Sequence, residues 1–505
     1  MAAQKGCAIC SILWDAVLTG HKEVIESPES SSVDCNVEWR TDTSQFTLLR
    51  FSSRSSRGYF EVTYSLLYQP GLSLPQRSLA ICFAPNLLEF GQALCSFFST
   101  DDDIFSGCPV PSKSSLGSIP LAAAWLDVCD KRHKDCQKYQ PRQNWLPTRL
   151  IDVGGGRTDS RLVTEAEAFQ SGKVHKYIAL SHRWGNVPTI TLTSANVESF
   201  RQRLPFEKLS KTFQDAIALC HLMGVPYIWI DSLCIMQDSR EDWIQEAERM
   251  RDVYKNCYCN FAATAAAAES STGSLNVERD PVLITPFQVQ FQWMNHTGSY
   301  YCLRTHLHQD DVERSPLNKR GWVLQEQRLS PRTIHFGRQL WWECRELYGC
   351  ESYPCGKTWT PRGIEGKEQS SKGTFDNIQI VEERHRLWQS VVSDYTQRAL
   401  TMEHDKLVAI SGMAREFHAS AGDTYLAGLW RKDLYPTMLW HGVKGTYGLK
   451  TTMLNNVFER EPSIFRPPKY RGMIDLLCGV VKANYQSANL VLGISRRAYF
   501  FFHDI

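Results

Sequence analysis

The chain has 505 residues, which is enough for two or three folding units and a sizeable core. Apolar residues make up 43% of the chain and charged residues 22%, close to the average of globular proteins. The formal net charge of +2 balances 56 basic against 54 acidic side chains. This balance argues against a basic nucleic-acid-binding face and against a polybasic membrane signal, so we expect no nucleic-acid partner.

The sequence contains no pattern typical of export or membrane insertion. No stretch reaches the ~18 consecutive apolar residues that a spanning helix needs. Asp15 interrupts the first apolar run, and no cleavage site follows it. We therefore expect a cytoplasmic protein without a transmembrane segment, whose 17 cysteines are reduced thiols or metal ligands rather than disulfides.

Composition divides the chain into regions of different character. Residues 1–150 form a Cys-rich and Ser-rich N-terminal region, and residues 151–172 resemble a linker because they are rich in glycine and polar residues. Residues 173–345 alternate short apolar strands with amphipathic helices, which is typical of an α/β domain. Residues 376–505 are predicted to form a helical C-terminal region.

The α/β region can be followed in chain order. Residues 177–180 and 227–230 are apolar runs typical of buried strands, and the helix between them is predicted to begin with a capping box at Thr212. A second helix, capped by Asp238, carries apolar residues at helical spacing. Strand–helix–strand–helix order predicts a parallel sheet with right-handed crossovers. Ligands of such sheets bind beyond the carboxyl ends of the strands, here residues 181–185 and 231–237.

Four side chains at these strand ends are candidate ligand-binding residues. Arg183 could meet a phosphate, and Trp184 could stack on a base. Ser181 and Asp231 end the two strands and could line the same cleft. The alternative is a tight loop fixed by Gly185 with no ligand.

The N-terminal region contains a candidate zinc site. Cys7 and Cys10 form a Cys-x-x-Cys pair, and Cys129, His133 and Cys136 fall at i, i+4 and i+7, which would place all three on one helical face. These residues could form a tetrahedral Cys₃His or pair-plus-pair site, structural rather than catalytic. A chance grouping among 17 cysteines is the alternative.

Several long motifs, in order, resemble the fungal heterokaryon-incompatibility (HET) domain. The segments that carry the resemblance are residues 177–185, 212–217, 225–238, 242–254, 316–326 and 329–332, with flanking segments at 146–153, 341–344, 405–407 and 425–430. The usual Trp-Ser-Trp-Ala-Ser-like continuation does not follow Trp440. Residues 441–505 are therefore expected to be diverged or truncated relative to that family.

The resemblance implies a parallel-sheet fold similar to Toll/interleukin-receptor (TIR) domains, and a role in self/non-self recognition or programmed cell death. Several TIR domains cleave NAD with a glutamate in a Trp-x-x-Glu-like setting. Glu246 stands three residues after Trp243 and is implied as the catalytic residue, with NAD as substrate. The alternative is that Glu246 flanks the core and forms an ion pair.

Other functions remain open at this point. A non-enzymatic signalling module would act by self-association or by binding a protein partner, and the absence of a catalytic triad favours it. An accessory protein of a fungal biosynthetic gene cluster is a further alternative.

Overall fold

A computed structural model of the chain describes residues 49–54, 59–65, 78–84, 113–138, 141–142, 144–155, 159–184, 190–265, 275–276, 278–281, 284, 287–293, 296–304, 308–352, 354, 372, 381–402, 405–426 and 429–433. The chain divides into two compact units, residues 1–373 and residues 374–505.

Strands occur throughout the described residues. They are β1 (Leu49–Arg54), β2 (Tyr59–Ser65), β3 (Ser78–Ala84), β4 (Arg149–Asp152), β5 (Arg161–Thr164), β6 (Tyr177–Ser181), β7 (Tyr227–Trp229), β8 (Cys259–Ala262), β9 (Phe287–Trp293), β10 (His296–Arg304), β11 (Arg332–Phe336), β12 (Leu340–Cys344), β13 (Tyr348–Cys350), β14 (Tyr425–Leu426) and β15 (Leu429–Trp430).

Helices cover and connect these strands. They are α1 (Ile119–Arg132), α2 (Lys134–Lys138), α3 (Glu165–Gln170), α4 (Val197–Gln202), α5 (Lys211–Leu222), α6 (Asp231–Cys234), α7 (Arg240–Asn256), α8 (Gly321–Leu329), α9 (Val381–Thr396) and α10 (Lys406–Ala421).

The main sheet of the first unit has eight strands in the order β13-β12-β11-β8-β6-β7-β4-β5. The four central strands β11, β8, β6 and β7 are parallel, as predicted for this region. The pairs on both sides of them are antiparallel. The α/β prediction is thus confirmed, and the parallel arrangement holds for the centre of the sheet alone.

A second sheet of the first unit is wholly antiparallel, with strand order β1-β2-β3-β10-β9. It joins strands from residues 49–84 to strands from residues 287–304. Segments far apart in sequence therefore form one sheet.

The central strands are buried because helices cover the sheet. All residues of β6 and β7 are buried, and both strands read as continuous apolar runs. Helix α5 begins at its N-cap Ser210, whose hydroxyl accepts a hydrogen bond from the Phe213 N–H. After α5, Gly224 adopts φ +67°, the left-handed conformation that ends helices. The chain then enters β7. Because β7 pairs with β6 in parallel, the carboxyl ends of the two strands lie side by side.

The second unit has its own aromatic core. Phe417 of α10 stacks on Trp430 with ring centroids 4.3 Å apart, and Trp388 of α9 packs against Trp430 at 5.2 Å. Trp388, Phe417 and Trp430 are all buried. In neither unit does the described part of the chain contain a helix long and apolar enough to cross a bilayer.

Candidate functional site

Polar side chains converge where the central parallel strands end. The cluster, called here the strand-end cluster, comprises Ser181, His182, Asp231, Tyr254, Arg320 and Glu326. Ser181 ends β6, Asp231 opens α6 directly after β7, Tyr254 belongs to α7 and Glu326 belongs to α8. The topology therefore brings together groups from segments far apart in the chain, at the sheet edge where α/β folds bind ligands.

His182 and Asp231 form the outer part of the cluster, and Trp184 adjoins them. The His182 Nε2 lies 3.6 Å from the Asp231 Oδ1, and the Trp184 indole N–H donates a hydrogen bond of 3.0 Å to the Asp231 Oδ2. Burial lowers the pKa of His182 although the Asp231 charge acts in the opposite direction, so the imidazole is neutral near pH 7. Trp184 is 44% exposed, so solvent reaches the outer side of this contact.

Glu326 forms the inner part of the cluster. Its side chain is buried, and its carboxyl faces the hydroxyls of Ser181 and Tyr254. Burial raises the pKa of Glu326 to about 7, although the charge of Arg320 and the two hydroxyls act to lower it. The Oε2 atom has no hydrogen-bond partner among the described residues. Glu326 is therefore a buried acid that can gain or lose a proton near neutral pH.

Two further contacts fix the cluster. The Asn260 amide of β8 donates a hydrogen bond of 3.0 Å to the Ser181 hydroxyl. The Arg320 guanidinium donates to the backbone carbonyl of His182 and joins the start of α8 to the end of β6. Because the groups around Glu326 are held by packed secondary structure, the acid has a fixed position.

The candidate ligand-binding residues of the sequence lie as follows. Ser181 is fully buried and bonded to Asn260, whereas Arg183 is half-buried. Trp184 and Asp231 contact each other. Three of the four predicted residues, Ser181, Trp184 and Asp231, thus belong to or adjoin the strand-end cluster.

Glu246 lies in a different network, on α7. It is 2% exposed, and its Oε1 is 3.8 Å from Arg149 of β4. The same guanidinium binds Asp242 at 2.5 Å. Burial raises the pKa of Glu246, while a hydrogen bond from Thr148 and the charge of Arg149 lower it. A cleft of about 420 Å³ opens beside Thr148 and Arg149, but Glu246 is not among its lining residues.

Four metal-ligating side chains form a buried group between α1, α2 and β12. They are Cys129, His133, Cys136 and Cys344, and their ligand atoms all lie within 4.8 Å of one another. Such a group can hold a metal ion. A hydrogen bond to Cys136 raises the pKa of Cys129 to about 12, and hydrogen bonds from Cys129 and Cys344 hold the pKa of Cys136 far below its ordinary value.

The predicted ligands Cys129, His133 and Cys136 are thus brought together, although not by one continuous helix. Helix α1 ends at Arg132, and His133 has extended backbone (φ −79°, ψ 101°) before α2 begins. Cys7 and Cys10 lie outside the described residues, so their part in the site stays a prediction.

Sequence reasoning missed Glu326 and Cys344. The signal for Glu326 was an acidic residue three positions from Val323 and from Leu329, so that it shares a helix face with two buried apolar side chains. The signal for Cys344 was a cysteine at the end of a strong β-strand pattern. Neither signal identifies the residues that Glu326 and Cys344 contact in the folded chain, because those residues are distant in sequence.

One of the comparisons with known proteins found a match. Residues 177–326 match the sequence model of the family described as "Heterokaryon incompatibility protein (HET)". No curated protein and no solved structure matches the chain. All six members of the strand-end cluster lie inside the matched segment. Residues 177–326 are therefore a heterokaryon-incompatibility (HET) domain, set within a longer α/β unit.

Proposed function

We propose that this chain acts in heterokaryon-incompatibility-type self/non-self recognition or programmed cell death, and that the strand-end cluster is its functional site. The observation that carries the proposal is the buried Glu326 among Ser181, Tyr254 and Asp231 at the carboxyl ends of the parallel strands. Every one of these residues belongs to the matched segment.

The cost of this arrangement supports a functional role. A buried carboxyl with an unpartnered oxygen disfavours folding, because burial opposes its ionisation and leaves a polar atom without a hydrogen bond. A neighbouring acid, Asp231, adds repulsion. Strained or unfavourable polar groups collect at functional sites, where they are used.

The test is expression of the full chain from an inducible promoter in a filamentous fungus, scored by growth arrest and dye uptake. We expect the wild type to cause cell death, and Asp231→Asn to reduce it at least about tenfold, because the amide removes the charge facing His182 and Trp184. Glu198→Gln is the matched control, since this acid is exposed on α4. Equal killing by the wild type and Asp231→Asn, at equal protein levels, would contradict the proposal.

NAD hydrolysis is the finer version of this proposal. In that reaction the bond between the ribose C1′ and nicotinamide breaks, its electron pair leaves with nicotinamide, and water supplies a hydroxyl to C1′ and releases a proton. A carboxylate near the ribose would stabilise the positive charge that develops. Glu326 is the better candidate for that carboxylate, because Glu246 is engaged by Arg149 beside Asp242.

NAD consumption by the purified full chain, followed as nicotinamide release, separates the two acids. If Glu326 carries the reaction, Glu326→Gln loses at least about a hundredfold in rate while Glu246→Gln keeps most of it. The reverse result would favour the sequence-based prediction of Glu246. Folding of both variants is checked by circular dichroism.

Absence of NAD consumption combined with cell death would favour the non-enzymatic alternative, a signalling module that binds a protein partner or itself. Absence of both would favour the accessory role beside biosynthetic enzymes. In each case we propose that Cys129, His133, Cys136 and Cys344 hold a metal ion that has a structural role. Zinc best suits thiolate and imidazole ligands.

A further inference from the structure

We infer that Cys129, His133, Cys136 and Cys344 form a closed tetrahedral Zn²⁺ site that clasps the segment before the HET domain to the strand after it. This inference does not depend on the proposed function.

The distances fit one small cation. Tetrahedral Zn²⁺ with Zn–S bonds of about 2.3 Å and Zn–N bonds of about 2.1 Å separates its ligand atoms by about 3.5 to 3.8 Å. The His133 Nδ1 lies 3.3 Å from the Cys344 Sγ and 4.0 Å from the Cys136 Sγ. Together with the 4.8 Å limit that includes Cys129, these separations need only small side-chain adjustments to match the ion.

The backbone around the ligands directs them inward. Extended backbone at His133 separates α1 from α2, so Cys129 on the first helix and Cys136 on the second face the same point as the imidazole. Cys344 arrives at the end of β12, and its sulfur accepts a hydrogen bond of 3.2 Å from the Leu347 N–H. Backbone N–H groups that point at a sulfur stabilise the thiolate that a metal requires.

The net charge of a zinc-loaded site would be balanced by a neighbouring arginine. Three thiolates, one neutral imidazole and Zn²⁺ sum to one negative charge. The buried Arg332 donates from its Nε to the Cys129 Sγ at 3.1 Å and supplies a positive charge beside the site. All four ligands are buried, so no position is open to substrate or bulk water. A closed site of this kind is structural.

The ligands lie on both sides of the HET domain. Three precede residue 177, and Cys344 follows residue 326. Other contacts join the same two segments: Trp125 of α1 stacks on Trp342 of β12 at 6.1 Å, and Arg332 binds Asp130 at 2.6 Å. The metal would thus close the domain as a loop and restrict the unfolded chain, as a cross-link does.

The test measures zinc in the full chain purified without chelator, by inductively coupled plasma mass spectrometry. We expect about one Zn²⁺ per chain in the wild type and a clear drop in melting temperature after treatment with a strong chelator. Cys344→Ala should lose the zinc. Cys220→Ala is the matched control, because Cys220 is equally buried but lies on α5 outside the group, and it should keep the zinc.

A conservative replacement keeps the test decisive if Cys344→Ala fails to fold. His133→Cys preserves four ligands and should retain zinc, whereas His133→Ala should lose it. The inference is overturned if the wild-type chain contains no stoichiometric zinc and gains no thermal stability when Zn²⁺ is added. It is also overturned if Cys344→Ala keeps the zinc content of the wild type.

Discussion

Replacement of Glu326 by glutamine is predicted to change how stability depends on pH. Burial raises the pKa of this carboxyl from 4.5 to about 7 in the folded chain. The folded state therefore holds the proton more tightly than the unfolded state, and stability falls as pH rises from about 4.5 to about 7. A shift of this size corresponds to about 3 kcal/mol at 1.36 kcal/mol per pKa unit. Glutamine has nearly the same shape and no proton to lose.

The assay is urea unfolding of the wild type and Glu326→Gln, followed by tryptophan fluorescence between pH 5 and pH 8. We expect the stability of the variant relative to the wild type to increase by about 2.5 kcal/mol from pH 5 to pH 8, with about 2 kcal/mol of this change between pH 5 and pH 7. Titration of other groups largely cancels in the difference. Glu198→Gln, at an exposed position on α4, is the matched control. A flat difference for Glu326→Gln would refute the idea that this acid is buried with a raised pKa.

Three more variants test other parts of the structure. Arg149→Ala leaves Asp242 and Glu246 without their shared guanidinium and should destabilise the first unit by about 3 to 5 kcal/mol, measured by urea unfolding. Gly224→Ala should cost about 1 kcal/mol in the same assay, because φ is +67° there although no neighbour obstructs a Cβ atom. Trp430→Ala should cost about 3 to 5 kcal/mol by emptying the aromatic core of the second unit, seen as a lowered melting transition in calorimetry.

Sequence patterns located the centre of the fold because its signals are local. The apolar runs of β6 and β7 are confirmed at nearly the predicted residues. Helix starts were less accurate: the caps are Ser210 and Ser239 rather than Thr212 and Asp238. Several polar residues near a helix start can each serve as the cap, and which one does so depends on the incoming chain.

Asp238, the predicted cap of α7, instead binds Ser194. Its carboxylate accepts hydrogen bonds from the backbone N–H and hydroxyl of Ser194, and so ties two loops together. That contact joins segments distant in sequence, and no spacing rule predicts it. The antiparallel flank formed by β4 and β5 was missed for a different reason. The glycine and polar residues of 151–172 predict a linker, whereas β5 and α3 form there.

The sequence predicted some residues of each candidate site and missed others. Residues at the ends of β6 and β7 could be identified, since strand ends are where such sheets bind ligands. Glu326 could not, because its importance arises from burial beside Ser181 and Tyr254, which only the folded chain brings about. In the metal group, the spacing from Cys129 to Cys136 was visible, whereas Cys344 arrives from a strand far along the sequence.

A comparison of Glu326→Gln with Glu246→Gln in the inducible cell-death assay tests whether the strand-end cluster is the functional site of the HET domain. Both changes remove one buried carboxylate without changing its shape, and they differ in which network they touch. At matched protein levels, we expect Glu326→Gln to abolish killing and Glu246→Gln to retain it. Full killing by Glu326→Gln would show that the strand-end cluster is not the functional site.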